Sequence, residues 1–313
     1  MEESLSITVT PKLRGTRLDV LVKNRLSWLT NTQLERLIKE EKILVNGEKT
    51  KKGKRLKSAD TILIFFNDNY DLSVVHDLTL EVLYEDDYLI AIDKPAGIAC
   101  HPTKKHLNYN IINYFRQNEN DAGEIRLLHR LDYETSGVLL LSKSKEAHQI
   151  LQEDFEDRKI EKMYRAIVHG HPQNHVGNII GDIIDAPSRI ELKKGVDPGN
   201  EQACTDYEVE QEFSSYSLVR IFPRTGKQHQ IRVHFSYLGH PIVGDKLYGK
   251  NENYFLDFLE GVFGNDYFER ELGLARHALH ACELSFAHPI FKKKVTIVSP
   301  LPEDMLRFIT KNS

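Results

Sequence analysis

Asp132 has the setting in this sequence best suited to chemistry. It stands in His129-Arg130-Leu131-Asp132, after an apolar run ending at Leu127-Leu128 and before Thr135-Ser136-Gly137, which turns the chain into the apolar residues 138–141. A carboxylate in a loop framed by hydrophobic segments is held by rigid walls and can act as nucleophile or base. The ordinary alternative is a structural ion pair with a neighbouring arginine. A second group of candidates begins at Arg224-Thr225-Gly226-Lys227 and runs through Gln228 to Arg232. Arg224 and Lys227 lie at or before the positive end of a predicted helix, where cations do not help the helix. An anionic ligand would account for them, and so would plain exposure to solvent.

Other chemistries find little support. Ser136 lies in Thr-Ser-Gly and not in G-x-S-x-G, so a hydrolase built on Ser136 and a histidine is remote. The phosphate-cradling patterns G-x-x-x-x-G-K-[ST] and G-x-G-x-x-G are missing. Cys100, Cys204 and Cys282 form no C-x-x-C pair, and none of the 14 histidines belongs to an H-E-x-x-H arrangement. Neither a disulfide framework nor a metal site is expected, and no cofactor is called for.

The elements that must position these residues can be read from periodicity. Ser144 is the expected N-cap of a helix that buries Ala147, Ile150, Leu151 and Phe155. Residues 163–168 read as a strand with Tyr164, Ala166 and Val168 on one face. Ile231, His234, Phe235 and Leu238 recur at helical spacing, stopped by Gly239 and Pro241, with Gln228 and Arg232 one turn apart on another side. Residues 80–84 and 88–93 suggest two strands around Glu85-Asp86-Asp87. Residues 251–274 read as an irregular segment rich in aromatic residues. Strands and helices alternate without a β-α-β rhythm, which favours an α+β fold.

Ahead of this lies a smaller unit, from Thr16 to Phe66. Leu18, Leu21 and Val22 mark one short helix, and after a break at Leu29 to Asn31, Leu34, Leu37 and Ile38 mark another, with Arg36 and Lys39 on its remaining surface. Ile43-Leu44-Val45 meets Asn46-Gly47, a strong hairpin signal, and a basic run from Lys49 to Lys57 precedes the strand 61–66. The polar residues 67–77 read as a linker.

The bulk figures suit an ordinary globular protein: 313 residues, 40% hydrophobic and 28% charged. The net charge of −4 hides an asymmetry, because residues 1–70 hold 14 Lys+Arg against 9 Asp+Glu. A basic module on an acidic body can direct RNA to one face, and a lysine-rich, solvated surface would give the same balance. No secretory signal is visible and no stretch reaches the roughly 18–20 apolar residues of a membrane span, so a cytoplasmic location is expected.

Taken in order, several segments resemble the RluA-type family of pseudouridine synthases. They are His129-Arg130-Leu131-Asp132 with Thr135-Ser136-Gly137; residues 82–86 with Asp93-Lys94-Pro95-Ala96-Gly97; Lys162-Met163-Tyr164-Arg165-Ala166; and residues 224–234. Gly239-His240-Pro241 with Gly244-Asp245, Leu279-His280-Ala281, His288-Pro289 and Pro300-Leu301-Pro302 follow. Residues 16–66 also resemble the small RNA-binding module shared by a ribosomal small-subunit protein and tyrosyl-tRNA synthetases. The resemblance implies a pseudouridine synthase catalytic domain at residues 80–313, with a mainly antiparallel central sheet and a central cleft. A small α/β RNA-binding module at residues 1–70 and a linker at 71–79 would precede it.

It further implies that Asp132 is the catalytic aspartate, that Tyr164 stacks on the target base, and that Arg232 pairs with Asp132. Arg130 would enter the space left by the flipped uridine, and Arg36, Lys39, Arg224, Lys227 and Gln228 are further candidates for RNA contact. The sequence departs from the family in two places: Lys227 stands where arginine is common, and Glu40-Glu41-Lys42 stands where Glu-Glu-Gly is frequent. Large-subunit ribosomal RNA is the expected substrate, transfer RNA the second choice, and a monomer the expected state. The competing reading is a non-catalytic RNA-binding or ribosome-assembly factor.

Overall fold

The structure, a computed structural model, describes residues 3–26, 29, 31–66, 78–103, 106, 109–118 and 125–313. The expected linker at 67–77 lies outside them, as does Thr30 in the expected break between the first two helices. The chain divides into two compact units, Met1–Thr79 with Ile98–Ile125, and Leu80–Gly97 with Arg126–Ser313.

In the first unit, strands β1 (Glu3–Thr8), β2 (Ile43–Val45), β3 (Glu48–Lys49) and β4 (Thr61–Phe66) form an antiparallel sheet in the order β1-β4-β2-β3. Helices α1 (Leu18–Arg25) and α2 (Asn31–Lys39) supply Leu18, Leu21, Val22 and Leu34 to a core shared with Ile43, Val45, Ile62 and Ile64. Helical spacing on one side and alternation on the other select these residues. Asn46 and Gly47 both adopt positive φ, 56° and 78°, the conformation that a two-residue hairpin matching the strand twist requires. Strand β1 is an addition to the sequence reading, which began the unit at Thr16. Helix α3 (Ile111–Asn118) lies in the second segment of this unit.

The departure in Glu40-Glu41-Lys42, Lys42 in place of glycine, does not fall on the left-handed residue of this turn, which is Glu41. The Glu41 N–H donates to the Ile38 carbonyl at 3.2 Å and the Lys42 N–H to the Leu37 carbonyl at 2.8 Å, the paired bonds of a Schellman stop to α2. Glu41 occupies its left-handed position, with φ 59°, a strained conformation for a residue that carries a side chain. Glu41→Gly is expected to stabilise this unit by about 0.5–1 kcal/mol, read from the urea midpoint. An unchanged or lowered midpoint would mean that the strain is absorbed elsewhere.

The second unit is built on a ten-stranded sheet. Its main path is β10 (Val176–Ile180), β13 (Cys204–Glu212), β14 (Tyr216–Pro223), β9 (Glu161–His169), β15 (Leu279–Ala287), β8 (Ser136–Ser142), β6 (Leu89–Lys94) and β5 (Glu81–Glu85). Strand β7 (Arg126–Leu127) pairs with β8, and β16 (Lys294–Val298) with β15. Among the described residues of this sheet only the β8–β15 pair is parallel, so the sheet is mainly antiparallel, as an α+β fold predicts. A separate hairpin joins β11 (Asp182–Asp185) to β12 (Lys194–Asp197).

Helix α4 (Lys145–Glu156) begins as expected, with the Ala147 N–H donating to Ser144 Oγ at 3.1 Å, and it buries Ala147 and Leu151. Helix α5 (Gln230–Tyr237) corrects the sequence reading in three ways. It starts after Gln228, which is exposed in the preceding turn. It is buried from Gln230 through Phe235, including Arg232, so that residue faces no solvent side. Leu238, counted with its apolar stripe, is instead 36% exposed at the C-cap. Residues 251–274 are not irregular: they hold α6 (Asn253–Glu260) and α7 (Asn265–Leu272). Helix α8 (Glu303–Asn312) closes the chain. Among the described residues no helix is long and apolar enough to cross a membrane.

Candidate active site

The loop from Leu128 to Thr135 is anchored at both ends. At its start, His129 Nε2 accepts the Leu140 N–H at 3.1 Å and the ring stacks on Phe155, which makes this histidine structural. Burial lowers its pKa to about 3, consistent with a neutral acceptor. At its end, Gly137 lets β8 approach β15 closely: a Cβ there would lie 2.2 Å from the Ala281 carbonyl oxygen. Between these points the Lys94 ammonium donates to the Tyr133 carbonyl at 3.3 Å, and the Gly97 N–H donates to the same oxygen at 2.9 Å.

The loop's far side rests on a buried polar cluster. Lys246 pairs with Glu134 and lies under the rings of Phe258 and Phe268, at 4.7 and 4.9 Å from their centroids. Thr135 Oγ1 is 2.7 Å from His277 Nε2. A lysine inside protein survives as a cation only with such compensation.

These supports hold Asp132 at the wall of an open cleft. Asp132, Arg130, Tyr164, Lys162, Lys227, His229 and Arg232 all line it. The Asp132 side chain is 28% exposed, and its Oδ2 accepts from Arg232 Nη1 at 2.9 Å. Arg232 is only 7% exposed and donates from Nε and Nη2 to both oxygens of Asp245, at 2.7 and 3.0 Å. Asp245 is wholly buried and also accepts the Leu247 and Tyr248 N–H groups on Oδ1. Gly244, with φ 78°, makes this possible by touching the backbone at Arg276, where a Cβ would meet the carbonyl oxygen at 1.9 Å.

The result is a line of charge, Asp245 to Arg232 to Asp132, that opens into the cleft. Burial opposes ionisation of Asp132, but His229 and the Arg232 charge outweigh it and hold the carboxyl below its ordinary value. Burial likewise opposes charge on Arg232 and Asp245, and each is overcome by the other. Asp245→Ala would leave Arg232 buried with one carboxylate in place of two. We expect a loss of about 3–5 kcal/mol in urea unfolding, since removing one member of a buried pair strands the other. A loss below about 1 kcal/mol would contradict this account.

Of the nine residues singled out from the sequence, Asp132, Tyr164, Arg232, Arg130 and Lys227 converge on the cleft. Arg130 is exposed at its wall, and Lys227 also approaches Asp182 at 3.7 Å. Arg224 is exposed and paired with Asp206, outside the lining, and Gln228 is outside it too. Carboxylates beside Arg224 and Lys227 therefore supply a reason for those cations besides a bound anion. Arg36 and Lys39 are exposed on α2 in the other unit, Arg36 paired with Glu40 one helical turn away.

Sequence reasoning gave no role to Asp245, His229, Tyr248, Lys246 or His277. The only signals were the place of Asp245 in Gly244-Asp245 and that of His229 in residues 224–234, and nothing in local pattern marks the others.

Comparison with known proteins identifies the family. The family description RNA pseudouridylate synthase matches residues 88–237, and the S4 domain description matches residues 16–62. Ribosomal large subunit pseudouridine synthase C of Buchnera aphidicola subsp. Acyrthosiphon pisum (strain APS) is 31% identical over 312 residues, covering 97% of this chain and 96% of its own. Ribosomal large subunit pseudouridine synthase D of Blochmanniella floridana is 31% identical over 309 residues, covering 94% of each. Among solved structures, human RNA Pseudouridylate Synthase Domain Containing 4 superposes with a TM-score of 0.57 at 27% identity, covering 74% of this chain and 92% of that one. An ionised aspartate held by arginine in an open cleft, full-length likeness to these synthases and a matching S4 domain lead to one assignment: the chain belongs to the RNA pseudouridylate synthase family and is a uridine-isomerising enzyme.

Proposed function

We propose that the enzyme converts particular uridines of large-subunit ribosomal RNA to pseudouridine, with Asp132 as its catalytic group. The observation that carries this reading is the Asp132–Arg232–Asp245 line ending in a cleft that Tyr164 also lines. The ribosomal substrate is supported by the relatives named for it, which match over nearly the whole chain.

The reaction breaks the N1–C1′ bond, turns the uracil, joins C5 to C1′, removes the C5 proton and protonates N1. The target nucleotide must first leave its stack, at a cost of a few kcal/mol, and Arg130, exposed at the cleft wall, would fill the gap. Tyr164 offers a flat surface for the extruded base. Asp132 could attack C1′, attack C6 or take the 2′ proton, and all three routes need it ionised and oriented, as Arg232 keeps it. A nucleotide filling the cleft would displace water that would otherwise hydrolyse the cleaved sugar.

In this reading the S4 domain brings RNA to the enzyme through its exposed cations, Arg36, Lys39, Lys49, Lys51, Arg55 and Lys57. The protein would act as a monomer in the cytoplasm, where its three free cysteines stay reduced. Pseudouridine mapping of ribosomal and transfer RNA, from cells with and without the gene, tests the proposal. Loss of at least one site in large-subunit ribosomal RNA, restored by the intact gene, is the expected result. Losses confined to transfer RNA would replace the substrate, and an unchanged map would refute the reading.

A further inference from the structure

We propose that His229 and Tyr248 form a second arm on the Asp132 carboxylate, in which Tyr248 fixes the His229 proton on Nε2 so that this N–H faces Asp132. The inference rests on the reading that Asp132 is the catalytic group. His229 directly precedes α5 and has a left-handed backbone, with φ 57°. For a residue with a side chain that conformation costs about 1 kcal/mol or more. Its side chain does not cap the helix. The strained backbone instead turns the ring into the cleft, where only 10% of the side chain is exposed and Nε2 lies 4.0 Å from Asp132 Oδ2.

The other ring nitrogen identifies the tautomer. His229 Nδ1 is 2.8 Å from Tyr248 Oη, and the same phenol oxygen accepts the Lys194 N–H at 3.0 Å. With its oxygen accepting from the backbone, the tyrosine donates its one hydrogen to His229 Nδ1. A neutral imidazole accepting at Nδ1 carries its own hydrogen on Nε2. The ring stays neutral because burial and the Arg232 charge bring its pKa down to about 4, against the opposing pull of Asp132 and Asp245, with Lys194 adding to the depression.

Tyr248 braces the other donor to Asp132 as well. The Arg232 guanidinium lies over its ring at 5.0 Å from the centroid, and the Tyr248 N–H is held by Asp245. One tyrosine therefore positions both groups that face the carboxylate, Arg232 through its π face and His229 through its hydroxyl. The His229 N–H, 4.0 Å away in this structure, is placed to shorten onto Asp132 when a nucleotide fills the cleft and displaces solvent. His229 is a positioning residue: it orients the carboxylate and favours its charged form.

The two ends of the imidazole can be tested separately. A glutamine side chain can put an N–H near the position of Nε2, whereas asparagine mimics Nδ1. His229→Ala is expected to lower kcat by up to about 100-fold with KM within about twofold, the scale of a misoriented catalytic group. His229→Gln should recover most of that loss and His229→Asn should not. Histidine 15N spectra of the intact enzyme should show, in the resonances lost from His229→Gln, an unprotonated Nδ1 and a protonated Nε2. Tyr248→Phe should mix the two tautomers.

Full activity of His229→Ala, equal rescue by asparagine, or a protonated Nδ1 would overturn the proposal. An active Asp132→Asn enzyme overturns the reading beneath it. An inactive one, beside an undiminished His229→Ala, overturns this inference alone.

Discussion

Asp132→Asn is expected to lower pseudouridine formation by about four orders of magnitude or more, with the fold intact. The substitution keeps the shape of the side chain and removes its charge, and none of the three routes open to Asp132 survives that loss. An amide is neither a base nor a useful nucleophile at C1′ or C6. The fold should tolerate the change because Asp132 is 28% exposed, and because Arg232 keeps both hydrogen bonds to Asp245. The buried charge pair at the base of the site therefore remains matched, and a loss of no more than about 1 kcal/mol is anticipated. Tritium release from RNA labelled at C5 of uridine reads the chemistry directly, since that hydrogen leaves only when the isomer forms. A thermal melt reads the fold. Measurable turnover in a folded Asp132→Asn protein would remove this residue from the mechanism.

The second large effect is on stability in acid. Burial drives the pKa of His229 and His280 down to about 4, and that of His277 well below its ordinary value. All three are locked as neutral rings: His229 on Tyr248, His277 on Thr135, and His280 between Ser136 Oγ at 2.9 Å and Ser299 Oγ at 3.0 Å. In the unfolded chain each would titrate near its ordinary 6.5. Below that pH the unfolded state binds protons that the native state refuses, so stability falls as pH falls. Each ring contributes about 1.4 kcal/mol per pH unit, until its folded pKa is reached.

Asp132 and Asp245, held below their ordinary value, add to the loss only at pH under about 3.8. Glu134 works the other way, since burial raises its pKa and its protonated form favours the native state. Urea unfolding across pH 8 to 4 should show a plateau above about 6.5 and a steep decline beneath it, with unfolding well above the range where carboxylates titrate. A flat profile from pH 7 to 5 would show that these histidines are not held neutral in the folded protein.

Much of this protein is legible in its sequence wherever the relevant physics is local. Asn46-Gly47 turns a hairpin because both residues accept positive φ. Ser144 caps α4 because its hydroxyl reaches a helix N–H three residues on. Alternation along 163–168 put Tyr164 on the same face as Ala166 and Val168, and β9 has that register. Asp132 stood out because the loop that carries it is bounded by apolar segments on both sides, which become β7 and β8.

The tertiary structure decided what depends on burial and on partners distant in the chain. Periodicity assigned Arg232 to a polar side of α5, yet the helix is enclosed, because an arginine can be buried when Asp245 and Asp132 neutralise it from other loops. Lys246 is buried for the same kind of reason, matched by Glu134 from 112 residues away. Residues 251–274 looked irregular because their aromatic residues serve neighbours outside the segment, as Phe258 and Phe268 do in covering Lys246. Strand β1 escaped notice because its register is set by pairing with β4, some sixty residues later. Local pattern records the periods and turns of a chain, whereas the compensation of a buried charge is a property of which distant residues meet. The sequence could therefore single out Asp132 and, through the resemblance, its partner Arg232, whereas Asp245, which holds Arg232 in place, emerged only from the tertiary structure.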